Sequence, residues 1–194
     1  SRLEELIPQI DGVLVSDFVY GVVSNNLLER LLELARKYNV KLFGDLQCSS
    51  QVGSVLRLKG FDLICPTERE ARIALGDNES GLEWIAQTLH NKSESKELLI
   101  KMGGKGLIAY GAENGSSISG GQHFPAIVTN PLDVVGAGDS LFASTSVSLC
   151  CGANIMEASA IGTCMASLAV QKFGNISINK NMLQHQLHRM FNQI

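Results

Sequence analysis

Short apolar runs alternate with longer segments of helical period in the first half of the chain. The run "GVLVS" (12–16) precedes "NNLLERLLELARKYNV" (25–40), where leucines recur every three or four residues, and "VKLFGD" (40–45) begins the next run. Short β-branched runs are typical of buried strands, and the longer period is typical of amphipathic helices. Strands that alternate with helices pair in parallel and carry helices on both faces. The sequence therefore predicts an α/β fold around a mostly parallel sheet.

The rest of the chain continues this alternation. Gly76 is typical of a helix C-cap, and the segment 155–174 is so rich in small residues that we expect it to pack closely against a neighbour. We predict strands at 61–66, 97–102 and 107–111, helices at 68–76, 81–91, 140–151, 155–174 and about 179–191, and a loop with an edge strand at 116–130. Because no interior linker interrupts these elements, we expect residues 1–194 to form a single domain.

Composition narrows the class of protein. Of the residues 45% are hydrophobic and 18% charged, which is an ordinary globular balance. The net charge of -3 and the lack of a basic cluster argue against nucleic acid as a partner. The five cysteines include no C-x-x-C pair, and no apolar run is long enough to span a membrane. We therefore expect a cytoplasmic protein with reduced thiols and no membrane partner, and the start at Ser1 suggests a piece of a longer chain.

Polar residues follow the predicted strands. In a parallel sheet, ligands bind beyond the carboxyl ends of the strands. The residues at these positions are Asp17, Asp45, Thr67, Glu68, Glu70 and Lys101, and Asp139 stands at the start of a later helix. Carboxylates that share one edge are expected to need a cation, or a phosphate with its Mg²⁺.

The stretch "DVVGAGDS" (133–140) places a carboxylate on a glycine turn before a predicted helix. Unpaired N–H groups and the dipole make a helix N-terminus a site for anions, and Gly136, Ala137 and Gly138 let a phosphate approach the backbone. Asp139 could then accept a proton from an attacking hydroxyl. It could equally be a helix cap, for which Asp is well suited. The local sequence leaves both interpretations open.

Four ordered segments resemble the ribokinase/PfkB family of sugar kinases. "DVVGAGD" resembles the family's D-T-x-G-A-G-D signature, "CPTEREA" its P-N-x-x-E stretch, "IKMGGKG" its T-x-G-x-x-G stretch, and "KFGNISI" its closing adenine-side segment. "LVSDFVYGVV" and "LFGDLQ" look most similar to the heptose-phosphate kinase branch. The resemblance covers nearly the whole chain. It implies a ribokinase-like three-layer α/β/α fold from which the N-terminal sugar-binding and lid half is absent.

The resemblance also implies a function. Relatives transfer the γ-phosphoryl group of ATP, with Mg²⁺, to a hydroxyl of a sugar or sugar phosphate, and some form homodimers through the lid. The matching positions imply Asp139 as general base, Gly136, Ala137 and Gly138 as anion hole, Lys101, Gly103, Gly106 and Thr163 beside the nucleotide, and Glu70 as the residue that organises Mg²⁺. Asp133 and Val135 match a segment that lines a monovalent-cation site in relatives, so K⁺ is a further candidate cofactor.

Several positions depart from the family pattern. Thr67 replaces an Asn, Lys101 replaces a Thr, and Tyr20 and Gln47 stand where the heptose branch has lysines. Lysine is a natural phosphate binder, so the loss of two lysines weakens the case for a phosphorylated sugar. The alternative hypothesis is a non-catalytic relative that binds a nucleotide or a protein partner through the same fold.

Overall fold

The computed structural model of the protein describes residues 2–47, 53–113, 117–118, 120–174 and 176–191. Within these ranges the helices are α1 (Arg2–Leu6), α2 (Asn25–Tyr38), α3 (Glu68–Leu75), α4 (Leu82–Ser93), α5 (Ala137–Cys150), α6 (Ile155–Ala169) and α7 (Lys180–Phe191). The strands are β1 (Gly12–Asp17), β2 (Lys41–Leu46), β3 (Leu63–Ile64), β4 (Glu97–Lys101), β5 (Leu107–Glu113), β6 (Ser117–Ile118) and β7 (Gln122–Phe124).

The sheet follows the order β1-β2-β3-β4-β5-β6. Strands β1 to β4 pair in parallel, with Gly12 opposite Lys41 at the start of the first pair and Asp17 opposite Leu46 at its end. The β5–β6 pair is antiparallel. The carboxyl ends of β1 and β2 therefore lie side by side, and the predicted mostly parallel sheet is confirmed.

Strand β2 is buried on both faces. Successive side chains of a strand point to opposite faces, and both Leu42 and Phe43 are almost inaccessible to solvent. A sheet covered on both faces is what a three-layer α/β/α class requires, so the predicted fold class is confirmed.

Two compact units can be distinguished. The first, here called the sheet unit, comprises Ser1–Met102 and Ile108–Gln122; the second, here called the helical unit, comprises Gly103–Leu107 and His123–Ile194. The expectation of a single domain over residues 1–194 stays a prediction.

Helix α2 shows how the sequence specifies an element of the sheet unit. The hydroxyl of Ser24 accepts a hydrogen bond from the N–H of Leu27 and caps the first turn. Leu28 and Leu31 are buried on one face, as the leucine period predicted. Asn39 ends the helix in the left-handed conformation, which asparagine tolerates better than most residues.

Apolar side chains from the helices and strands of the sheet unit form one core. Its buried members are Ile7, Val15, Leu28, Leu31, Leu34, Ala35, Val40, Leu42, Leu46, Val55, Leu58, Phe61, Ile64, Ala71, Ile85, Ala86, Leu89, Leu98, Ile100, Tyr110 and Ile118. This core fixes the strands whose carboxyl ends carry several of the predicted site residues.

Helices α5 and α6 of the helical unit lie very close together. A Cβ on Gly162 would come 2.3 Å from the hydroxyl oxygen of Thr145 and 3.3 Å from the carbonyl oxygen of Leu141. Thr145 is fully buried and is β-branched, so its side chain has little freedom to move away. The predicted close packing of the small-residue helix is confirmed.

Two helix boundaries differ by three or more residues from the sequence prediction. Helix α5 begins at Ala137, earlier than the predicted residue 140, because the left-handed turn at Gly136 starts it directly. Asp139 consequently lies within the first turn. Helix α6 ends at Ala169 rather than at residue 174, and the chain then turns with a positive φ at Gly174.

Four of the five cysteines lie in the described part of the chain. Cys65, Cys150, Cys151 and Cys164 are free cysteines, and Cys48 lies outside the described residues. Among the described helices, none is long and apolar enough to cross a membrane.

We expect Gly162→Ala to destabilise the protein. The added methyl group overlaps the buried Thr145 hydroxyl, and overpacking of this kind costs about 1–3 kcal/mol in the free energy of unfolding. Denaturant unfolding measures the change. Gly120→Ala is the matched control, because no atom beyond its chain neighbours lies within 4 Å of its Cβ position and its φ is not in the left-handed region. Equal stabilities of the two variants would contradict the close α5–α6 packing.

Glu97 makes the stability of the sheet unit depend on pH. Burial, together with the nearby Asp62 carboxylate, raises the pKa of Glu97 from 4.5 to about 7, although Lys41 and Lys96 oppose the shift. The unfolded chain therefore loses this proton at lower pH than the folded protein. Stability falls as the pH rises from about 4.5 to 7, and the folded state carries the cost of the buried charge above that range.

We expect Glu97→Gln to be more stable than the wild type at pH 8, by at most about 3 kcal/mol, with the difference vanishing near pH 4.5. Urea unfolding across this pH range measures the effect. Exposed Glu29→Gln serves as the control and should show no such trend. A Glu97→Gln difference that is constant with pH would rule out the shifted pKa.

Candidate active site

A glycine turn opens helix α5 in the helical unit. Gly136 is the N-cap residue, with φ 76° and ψ -1°, a conformation that favours glycine. The N–H of Ala137 donates to the carbonyl of Val134 at 3.3 Å, and Ser140 N–H donates to the Gly136 carbonyl at 2.9 Å. Asp139 is exposed in the first helical turn. The turn thus presents an accessible carboxylate beside the amides of a helix N-terminus.

Asp133 connects two loops of the helical unit. One carboxylate oxygen (Oδ1) accepts a hydrogen bond from Val135 N–H and the other (Oδ2) from Gly174 N–H, each at 3.0 Å. These backbone donors lower the pKa of Asp133 from its ordinary value, because they stabilise the ionised form. The carbonyl of Val170 also accepts from the N–H of Leu132.

Thr163 is buried on helix α6. Its hydroxyl donates to the carbonyl of Ser159 one turn earlier, at 2.8 Å. This bond uses the hydroxyl hydrogen within the helix and leaves the oxygen as an acceptor. The predicted position of Thr163 beside the nucleotide stays a prediction.

Gly103 and Gly106, the first and last glycines of "GGKG", adopt positive φ angles in different surroundings. Gly103 begins a short 3-10 turn with φ 58°, in open space. Gly106 has φ 92°, and a Cβ there would come 2.0 Å from the carbonyl oxygen of Phe124. Gly106 is therefore required by the approach of another backbone segment, and the nucleotide role of Gly103 and Gly106 stays a prediction.

Thr67 and Glu70 form a capping box at the start of α3 in the sheet unit. The Thr67 hydroxyl accepts from Glu70 N–H at 3.2 Å, and the Glu70 carboxylate accepts from Thr67 N–H at 2.7 Å. The pattern Thr-x-x-Glu in "PTEREA" is the sequence signature of this arrangement, and it shows that Thr67 acts as the N-cap of α3.

Lys101 forms an ion pair with Asp45. Its ammonium nitrogen lies 2.6 Å from Oδ1 of Asp45, whose side chain is fully buried, while the Lys101 side chain is 13% exposed. Lys101 N–H also donates to the carbonyl of Pro66, and a β-bridge links Lys101 to Thr67. Among the predicted site residues, the structure thus brings Lys101 beside the capping box of Glu70.

Asp17 also forms an ion pair with a basic side chain of the protein, that of Arg57. Arg57 donates to its Oδ2 at 2.8 Å, and Val19 N–H donates to its Oδ1 at the same distance. The expectation that the acidic groups at this edge need a bound cation is therefore wrong for Asp17 and Asp45, because Arg57 and Lys101 neutralise them. Arg57 lies forty residues from Asp17 in the chain, and no local pattern points to the pair.

The predicted site residues divide between the units. Glu70 and Lys101 belong to the sheet unit, and Gly103, Gly106, Gly136, Ala137, Gly138, Asp139 and Thr163 belong to the helical unit. Among the described residues, no group of three or more His, Cys, Asp or Glu side chains could hold a metal ion. The assigned roles stay predictions.

The fold places the chain in the ribokinase-like α/β class. Ribokinase from Arabidopsis thaliana, solved in complex with ribose and ATP, superposes with a TM-score of 0.79 at 21% identity, covering 96% of this chain and 59% of that one. Phosphofructokinase-2 from Escherichia coli, solved in complex with potassium, gives a TM-score of 0.78 at 18% identity, covering 98% and 61%.

The family follows from the sequence match. Residues 2–182 match the pfkB family carbohydrate kinases, and the chain belongs to this family. Bifunctional protein HldE from Geotalea uraniireducens (strain Rf4) is 29% identical over 170 residues, covering 86% of this chain and 33% of that protein. The chain spans about a third of the length of the curated relatives it matches. The predicted family is confirmed.

We expect Lys101→Met to lower the free energy of unfolding by about 3–5 kcal/mol, because Asp45 then keeps a buried charge without its cation. Denaturant unfolding measures the loss. The double variant Asp45→Asn/Lys101→Met should lose less than the sum of the two single variants.

The control for this prediction is Lys96→Met. Lys96 pairs with Asp62 at the same distance, 2.6 Å, but its side chain is 76% exposed. An exposed pair contributes at most about 1 kcal/mol. A Lys101→Met loss no larger than that of Lys96→Met would show that the buried pair contributes little.

Proposed function

We propose that this chain is the ATP-binding and phosphoryl-transfer part of a carbohydrate kinase. The observation that carries the proposal is the turn from Gly136 to Asp139, where a left-handed glycine opens a helix of 14 residues and an exposed carboxylate follows in its first turn. The turn lies in "DVVGAGD", the segment that resembles the signature of the carbohydrate kinase family to which the chain belongs.

The backbone of this turn would receive the transferred group. The first amides of a helix lack intrahelical acceptors, and the helix dipole adds a positive potential there. A glycine at position 136 and another at 138 keep side chains away from an approaching phosphate. Donors fixed before the reaction stabilise charge that grows in the transition state without reorganising.

Asp139 would act as the general base. In the proposed reaction, a hydroxyl oxygen of the acceptor forms a bond to the γ-phosphorus of ATP, and the bond from that phosphorus to the bridging oxygen breaks. ADP leaves with the electron pair of the broken bond. The hydroxyl proton passes to the Asp139 carboxylate, whose exposure lets an acceptor reach it.

Glu70 suits the role of organising Mg²⁺. Mg²⁺ prefers oxygen ligands and is usually held by one or two carboxylates, water and the substrate's phosphates. The carboxylate of Glu70 accepts a hydrogen bond from Thr67 N–H, and it supplies the oxygen type that Mg²⁺ prefers. When bound, Mg²⁺ would neutralise charge on the phosphates.

Asp133 and Val135 would line a site for K⁺. Each Asp133 oxygen accepts one N–H and retains lone pairs, so the side chain fits a cation ligand. The potassium complex of phosphofructokinase-2 from Escherichia coli supports this cofactor.

The acceptor would be a small sugar or sugar phosphate. The relative solved with ribose and ATP and the similarity to bifunctional proteins HldE support a sugar acceptor. Because Arg57 and Lys101 are engaged by carboxylates of this chain, neither offers a spare charge for an acceptor phosphate. We therefore favour a sugar whose own phosphate, if present, is bound by other residues.

We expect Asp139→Asn in the whole protein to lower kcat with ATP, Mg²⁺ and a sugar panel by ~10²–10⁴, because the base is lost. Coupled measurement of ADP release detects the change. Glu157→Gln is the matched control, since Glu157 is also a carboxylate in the first turn of its helix, α6. Unchanged turnover in Asp139→Asn would exclude the role of general base.

A non-catalytic relative is the second candidate, and the commitment of Lys101 to Asp45 favours it. Calorimetry on the whole protein separates the two candidates. ATP binding without turnover of any sugar in the panel would support the non-catalytic relative and contradict the kinase.

A further inference from the structure

The junction between the segments 132–135 and 170–174 lies within the helical unit, directly before the Gly136 turn. The carbonyl of Val170 accepts hydrogen bonds from Leu132 N–H at 2.8 Å and Asp133 N–H at 3.3 Å. These backbone bonds fix the start of the first segment against the end of helix α6. Further along the two segments, the Asp133 side chain connects Val135 to Gly174.

The two hydrogen bonds of the Asp133 carboxylate are here called the Asp133 clamp. One joins Oδ1 to Val135 N–H and the other joins Oδ2 to Gly174 N–H. Val135 lies inside the turn closed by Ala137 N–H and the Val134 carbonyl, and that turn leads into α5. The clamp therefore links the turn that starts α5 to the loop that follows α6.

Apolar packing contributes little to this junction. Val134 is 66% exposed, Val135 61% and Phe173 71%. With these side chains in solvent, directional hydrogen bonds are what hold the two segments in one geometry. Hydrogen bonds from backbone N–H groups to a carboxylate are stronger than those to neutral acceptors, and the Asp133 carboxylate accepts two of them.

We propose that Asp133 is a positioning residue for phosphoryl transfer: by holding the 134–137 turn against the 170–174 loop, it fixes the backbone amides at the start of α5. This inference rests on the proposed kinase function. It differs from the role of cation ligand, because the clamp joins the two segments by direct hydrogen bonds whether or not a cation is bound.

The proposal predicts a specific kinetic defect. In the proposed function, the amides of the α5 turn stabilise negative charge that develops during phosphoryl transfer. Their displacement should therefore lower kcat more than it raises KM for ATP. Small displacements of such groups have large effects on rate.

The test compares Asp133→Asn and Asp133→Ala with the whole wild-type protein. Asn keeps one oxygen for Val135 N–H but presents an NH₂ group to Gly174, and Ala removes both acceptors. We expect kcat to fall by ~10- to 100-fold in Asp133→Asn and further in Asp133→Ala, with a smaller change in KM for ATP. Hydrogen exchange at the amides of Val135 and Gly174 should accelerate in the same order.

A repeat of the kinetics without K⁺ separates the clamp from a cation site. If Asp133 positions the turn, the variants stay slower than the wild type when K⁺ is replaced by tetramethylammonium. Equal kcat values without K⁺ would mean that Asp133 acts only as a cation ligand, and the proposal would be overturned.

Asp77→Asn is the matched control. Asp77 also accepts two backbone hydrogen bonds in a loop, from Glu79 and Ser80, but it lies in the sheet unit, away from the α5 turn in the chain. We expect its kcat to equal that of the wild type. Equal kinetic losses in Asp77→Asn and Asp133→Asn would reduce the effect to general loop stability and overturn the proposal.

Absence of turnover in the wild-type protein would contradict the proposed function rather than the clamp. Hydrogen exchange then still decides the structural part: unchanged exchange at Val135 and Gly174 in Asp133→Ala would overturn the clamp itself.

Discussion

Neutralisation of buried charge at the carboxyl ends of the parallel strands is the constraint on which the sheet unit depends. Asp17 and Asp45 lie at the carboxyl ends of two neighbouring strands and are almost wholly buried. An ionised carboxylate in such surroundings is tolerated only with a close cation and further hydrogen bonds. Arg57 and Lys101 supply those cations, so the segments that carry them are held to the ends of β1 and β2.

This constraint changes how the edge of the sheet should be interpreted. A row of carboxylates beyond parallel strands suggests a cation site when only the sequence is known. With two of the carboxylates paired internally, Glu70 is the acidic residue that we assign to Mg²⁺, and its carboxylate also closes the capping box of α3. One residue would then serve a helix end and a cofactor.

The helical unit is organised by a different principle, in which small residues and glycines let backbones approach. Gly162 allows α5 and α6 to touch, and Gly136 opens α5 with a positive φ. The Asp133 clamp then orders a junction whose apolar side chains are exposed. In the function proposed here, the α5–α6 packing and the Asp133 clamp both hold the backbone amides at the start of α5.

The sequence by itself determined the parallel sheet, the family and the helix that follows the glycine turn, because these depend on local periodicity and on short contiguous motifs. The capping box of α3 was not predicted above, although it also has a local signature, Thr-x-x-Glu. Only the tertiary structure decided that Arg57 pairs with Asp17, that Lys101 pairs with Asp45 and that Asp133 reaches Gly174. Each of these pairs joins residues about forty or more positions apart, and no local pattern encodes which distant partner folding brings within hydrogen-bond distance.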